Sequence, residues 1–100
     1  MELINTPYLL NEKQKNISKV LAFGQVNVVN LQLQLGETVA EHNVDADVLI
    51  IVKTGKVAFT VDGEEVEVSP QNILHMSSGE KHSLKALEVS DFIVLQIKQA

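Results

Sequence analysis

The chain has 100 residues, 45% of them apolar, with 4% aromatic content and no tryptophan, which suits one compact domain with an aliphatic core and is too short for two. A formal charge of -5 and the lack of any Lys/Arg cluster with interleaved aromatics argue against nucleic acid, and no apolar run approaches the roughly 20 residues that cross a bilayer. With no cysteine there are no disulfides or thiolates, which leaves His, Asp and Glu as metal-ligand chemistry.

In chain order, the start MELINTPYLL lacks the basic flank and long apolar centre of an export signal, so the expected compartment is the cytoplasm. Residues 1–18 read as an arm or covering segment, with a helical turn through Ile17, Val20 and Leu21 as one option, and residues 19–100 as the folded body. Turn signals then recur at short intervals around Gly24, Gly36, Gly55, Asp62-Gly63, Ser69-Pro70, Gly79 and Ser90-Asp91. Between them lie nine candidate strands: 19–23, 26–35, 38–42, 47–53, 56–61, 64–69, 72–76, 82–87 and 92–98. The fold class is therefore all-β.

Asp62-Gly63 is the clearest local signal, since both residues accept the positive φ of a two-residue hairpin turn whose twist matches its strands. Beyond it, Glu65 and Glu67 alternate with Val66 and Val68; in LQLQL, Leu31, Leu33 and Leu35 share a face opposite Gln32 and Gln34. Two runs break the alternation: Val48 to Val52 and Phe92 to Leu95 are apolar without interruption, so both faces must leave water. A closed β structure has one interior, and the second face needs another cover. A second copy of the chain, giving a homodimer, is the expected cover; the alternative is the arm, through Tyr8, Leu9 and Leu10.

The segment from Gly36 to His82 resembles a small cupin. The first motif of that superfamily runs Gly, five residues, His-x-His, three or four residues, Glu, six residues, Gly; here Gly36, His42, Val44, Val48 and Gly55 occupy that frame, with valine at two of its three ligand positions. The second runs Gly, five residues, Pro-x-Gly, two residues, His, three residues, Asn; of Gln71, Ser77, Gly79, His82 and Ala86, only Gly79 and His82 match. The resemblance implies an antiparallel β-barrel or double-stranded β-helix (jelly roll), with His42 and His82 meeting inside it.

Three readings follow. The first is a binding module whose apolar pocket is lined by Val44, Val48, Ile50, Leu33, Met76 and Phe92, with His42 and His82 orienting a small, partly apolar anion or carbonyl compound. It involves no cofactor and no catalysis. The second, implied by the resemblance, is a metal-dependent enzyme of dioxygenase or isomerase type. It would hold a divalent transition metal on His42 and His82, with His75 as a further candidate and Glu41, Asp45 and Asp47 nearby in sequence. The third is an interaction protein whose barrel is filled by Val44 and Val48. Gly36, Gly55 and Gly79 serve most simply as turn glycines.

Overall fold

The computed structural model describes residues 1–99. They form nine strands: β1 (Lys15–Phe23), β2 (Val26–Leu33), β3 (Thr38–His42), β4 (Asp47–Thr54), β5 (Val57–Val61), β6 (Glu64–Val68), β7 (Ile73–Met76), β8 (His82–Ala86) and β9 (Ser90–Ile97). Each expected strand is present. No described helix is long and apolar enough to cross a membrane.

The strands make two antiparallel sheets, one in the order β1-β2-β9-β4-β7 and one in the order β3-β8-β5-β6. Hydrogen bonding does not close them into a continuous barrel, so the architecture is a two-sheet jelly roll. Between the sheets, one end is solid. Phe59 of β5 and Phe92 of β9 meet edge to face with ring centroids 6.2 Å apart, and Leu33, Val52, Val57, Val68, Met76 and Ala86 are buried in the same core.

The hairpin forms as its sequence dictates. Asp62 and Gly63 have φ of 47° and 85°, Val61 pairs with Glu64, and Val68 is buried while Glu65 and Glu67 are exposed. The first strand differs from its expected form. It begins at Lys15, and Ile17, Val20 and Leu21 lie on it rather than in a helical turn. A register shift between Lys19 and Leu21 explains the apolar spacing: Ile17 pairs with the inward Leu31, whereas Leu21 pairs with the outward Val28.

Strands β4 and β9 are apolar on both faces for the reason their composition implies. Val48, Ile50, Val52, Phe92 and Val94 point inward; Leu49, Ile51, Ile93 and Leu95 point outward. Part of the outer face is covered by the arm. Leu10 is completely buried, Leu9 N–H donates to Gln32 Oε1 (2.8 Å), Gln32 Nε2 donates to Pro7 O (2.9 Å), and Lys53 Nζ donates to Thr6 O and Oγ1. Gln32, on the polar side of LQLQL, is thus fully buried, whereas Leu35 is exposed because β2 ends at Leu33.

Gly55 closes the β4–β5 turn with φ of +91°, and a Cβ there would overlap Val89 O and Ser90 Oγ. Gly55→Ala is expected to lose about 2–4 kcal/mol from left-handed backbone strain plus this overlap, lowering the midpoint of thermal unfolding by more than about 10 °C. Gly24→Ala, where φ is +52° but nothing lies within 4 Å, is expected to lose only about 1 kcal/mol.

Candidate functional site

The unfilled end of the sandwich holds a cavity of about 270 Å³. Its walls are aliphatic, including Val29, Leu31, Val39, Val44, Val48, Ile50, Leu84 and Val94, with Phe59 toward the solid core. The polar side chains on it are His42, His82 and Gln96.

Backbone register brings the histidines together. Thr38 pairs with Lys85 and Val39 with Leu84, and continuing that register would set Glu41 opposite His82. A bulge between Val39 and His42 advances the chain by one residue, so that His42 pairs with His82 instead. The two rings lie with centroids 4.3 Å apart and planes tilted by 59°. The return to β8 is fixed from the other side: Gly79 N–H donates to Val44 O (2.9 Å), Ser78 N–H to Asp47 Oδ1 (3.1 Å) and Ser78 Oγ to Asp45 Oδ1 (3.2 Å).

His42 Nδ1 lies 2.9 Å from Ala40 O and His82 Nδ1 lies 3.2 Å from Glu80 O. A carbonyl oxygen only accepts, so each Nδ1 carries the hydrogen, and in the neutral ring Nε2 is left with its lone pair. Burial lowers the pKa of His82 below the ordinary histidine value; the bond to Glu80 O opposes this, while the neighbouring His42 reinforces it. His82 is therefore neutral at pH 7 and acts as a hydrogen-bond acceptor.

Val44, Val48 and Ile50 line the cavity with the two histidines, but Leu33, Met76 and Phe92 do not. Those three are buried in the core beside it, Met76 opposite the cavity-lining Val48 and Phe92 opposite the cavity-lining Leu31. His75 is not in the cavity either. It pairs with the outward Leu49, and its Nε2 lies 3.3 Å from Asp47 Oδ2 on the exposed face. Sequence reasoning passed over Gln96, although the alternation that carries Phe92 and Val94 inward extends to it, and it pairs with the cavity-lining Val48.

The donor set does not fit a metal ion. Asp45 and Asp47 are engaged at the Ser78 turn, Glu41 is exposed, and valines occupy the other two ligand positions of the first motif. Among the described residues, no three His, Asp or Glu side chains gather as a possible metal-holding group.

Neither a family model nor a curated protein matches the sequence. Solved structures do match in shape. A RmlC-like cupin from Desulfovibrio desulfuricans superposes with a TM-score of 0.85 at 16% identity, covering 97% of this chain and 96% of its own. The chain has the cupin fold. A cupin superfamily protein from Desulfitobacterium hafniense gives a TM-score of 0.81 at 17% identity over 88% of this chain and 81% of that one. A protein of unknown function from Streptococcus pyogenes gives 0.83 at 19% identity over 100% and 97%. The jelly-roll expectation is met in topology, though this chain leaves its two sheets unclosed.

The lowered His82 pKa has a defined stability signature. Above about pH 6.5 the ring is neutral in both folded and unfolded chains. As pH falls from there toward the lower folded value, the unfolded chain takes up the proton first, so stability falls, then levels off. Urea unfolding is therefore expected to show stability decreasing from pH 7 to pH 5, and His82→Gln is expected to flatten that slope.

Proposed function

We propose that this cupin is a metal-independent binding module for a small, largely apolar molecule that carries a hydrogen-bond-donating head, such as an alcohol, a phenol or a primary amide. The observation that carries this reading is the paired imidazoles, each tethered through Nδ1 to a backbone carbonyl, on the wall of an aliphatic cavity. Aliphatic walls take the body of the ligand through the hydrophobic effect, and a few polar atoms orient it. A cavity of about 270 Å³ suits a molecule at the small end of the usual pocket range of about 300–1,000 Å³.

The donor head follows from the protonation state. His82, neutral at pH 7 and bound through Nδ1, has a lone pair to offer and no spare hydrogen, so a carboxylate or a bare carbonyl compound finds no matched partner in it. This replaces the anion or carbonyl ligand expected from sequence. Gln96 supplies both an amide N–H and a carbonyl, which allows the head to carry an acceptor beside its donor. The valines at the two lost ligand positions form part of the wall.

A matched set of single-ring probes tests the proposal: benzyl alcohol, its methyl ether, and benzoate, each measured by calorimetric titration and thermal shift at pH 7.5. Benzyl alcohol is expected to bind and stabilise, the ether to bind about tenfold more weakly through loss of one hydrogen bond, and benzoate to leave the protein unchanged. His42→Ala, at an exposed position, and His82→Gln are expected to abolish the preference for the alcohol over the ether while keeping the folded circular dichroism spectrum. Zinc, nickel, manganese and iron(II) are titrated in parallel. Micromolar binding of any of them through His42 and His82, or equal binding of alcohol and ether, overturns the proposal.

A further inference from the structure

We infer that the ligand of the histidine cavity carries a carboxylate tail, and that Lys98, Asn27 and Gln96 hold this tail in a second recess just outside the cavity. The tail extends the ligand proposed above, so it stands on the same cavity. Two features point to it: the two spaces are continuous, and the outer one is rich in hydrogen-bond donors.

Continuity comes from strand alternation. Phe92, Val94 and Gln96 face inward on β9, and the next residue of that series is Lys98, whose backbone N–H donates to Gln25 O (2.8 Å) and so keeps the chain on the line of the strand. Across β2 the inward series Leu31 and Val29 ends at Asn27, which pairs with Gln96. The inner surface of the β2–β9 pair thus changes from aliphatic to polar toward the open end. There a recess of about 470 Å³ lies between Asn27, Gln96 and Lys98 on one side and Val44, Asp45 and Ala46 of the β3–β4 connection on the other. Val44 and Gln96 line both this recess and the cavity, so a molecule seated between the aliphatic walls meets the recess as it leaves them.

A lysine ammonium offers three N–H donors and each carboxamide two, whereas a carboxylate only accepts. Lys98 is exposed and, among the described residues, makes no ion pair. Asp45, the acid among the described lining residues, already accepts from Ser78 Oγ (3.2 Å) and stands on the opposite lip, which confines an anionic tail to the β2–β9 side. Because the chain carries a net charge of -5 and repels anions on average, one lysine suits a singly charged carboxylate better than a doubly charged phosphate.

Distance selects the ligand further. Lys98 lies one two-residue step, about 7 Å, beyond Gln96. A carboxylate joined directly to the buried ring, as in benzoate, stays at the level of the histidines, where His82 offers it no donor. One set two carbons further out reaches the recess. The ligand class is therefore a hydroxy acid with an apolar body, placing the body in the cavity, the hydroxyl on His82 and the carboxylate on Lys98.

Calorimetric titration at pH 7.5 with 3-hydroxy-3-phenylpropanoate, its methyl ester and 3-phenylpropanoate tests the inference, with benzyl alcohol as the reference. In about 20 mM salt the hydroxy acid is expected to bind about three- to fivefold more tightly than its ester, and the advantage to shrink in about 0.5 M salt, as an exposed ion pair should. Lys98→Gln, at an exposed position, is expected to remove the advantage while leaving binding of the ester and benzyl alcohol unchanged, and Lys98→Glu to reverse it. Because 3-phenylpropanoate has no hydroxyl, its loss of affinity in Lys98→Gln reads the outer recess independently of the histidines. Equal binding of acid and ester, or an acid preference that survives Lys98→Gln, overturns the carboxylate recess and leaves the cavity reading standing. Failure of benzyl alcohol, the ester and both acids to bind overturns the cavity reading and the recess together.

Discussion

The pairing of β4 with β9 is the contact on which the rest of the molecule depends. Each contributes an unbroken apolar run, and the two sit side by side between β2 and β7 with Val52 opposite Phe92, Ile50 opposite Val94 and Leu49 opposite Leu95. No single layer can cover both faces of such a pair, because side chains alternate across a strand. The inner face is therefore closed by β5 and β8 at one end and left as a cavity at the other. The outer face receives the arm at one end. Each buried aliphatic side chain is worth about 1.5–3 kcal/mol, so leaving either face wet would consume much of a small domain's margin of about 5–15 kcal/mol.

Attachment of the arm rests on polar contacts as much as on Leu10. Asn30, Gln32 and Asp91 are buried on the outer face: Asn30 Nδ2 donates to Asp91 Oδ1 at 2.7 Å, and Gln32 bonds the backbone at Pro7 and Leu9. Unpaired, these groups would cost about 1–3 kcal/mol each; among the described residues none is left without a partner. Because Gln32 uses both its amide N–H and its carbonyl on main-chain groups two residues apart, it sets where the arm lies as well as whether it binds. A purely apolar strap could slide along the sheet, whereas this one has a register.

Much of this organisation was legible in the sequence, because strand alternation and turn chemistry are local properties. Asp62-Gly63 specified its hairpin, and the twin apolar runs implied two covers before either was visible. The failures share a cause, which is that they turn on contacts between distant segments. Gln32 reads as a solvent-facing glutamine until the arm is laid over it. His75 alternates correctly with Leu74, but only the pairing of β7 with β4 says which of the two faces inward. The meeting of His42 and His82 was anticipated from the motif frame, yet alternation from the inward Val39 would have delivered Glu41 to the cavity. The bulge reverses that choice, and a one-residue bulge carries no compositional mark in TVAEH. Leu33, Met76 and Phe92 read as pocket residues because an inward residue looks the same in sequence whether the space beside it is filled or empty.

The bulge also governs what kind of chemistry the cavity can support. With Glu41 in that position, a carboxylate would stand beside His82, favouring its protonated form and any cation brought to the pair. With His42 there, two imidazoles face each other and His42 disfavours charge on His82. Valines complete the wall, so the cavity holds no negative charge to compensate a metal ion or an imidazolium. What remains is a histidine pair beside aliphatic surface. For the ligand class proposed above, a molecule without a donor would leave the His82 lone pair unmet at a cost of about 1–3 kcal/mol, comparable to the gain from burying its apolar body. On the proposed reading, selectivity for the head group follows from the valines that stand where the motif has ligands, since the same side chains that make the wall apolar leave the histidine pair without a carboxylate.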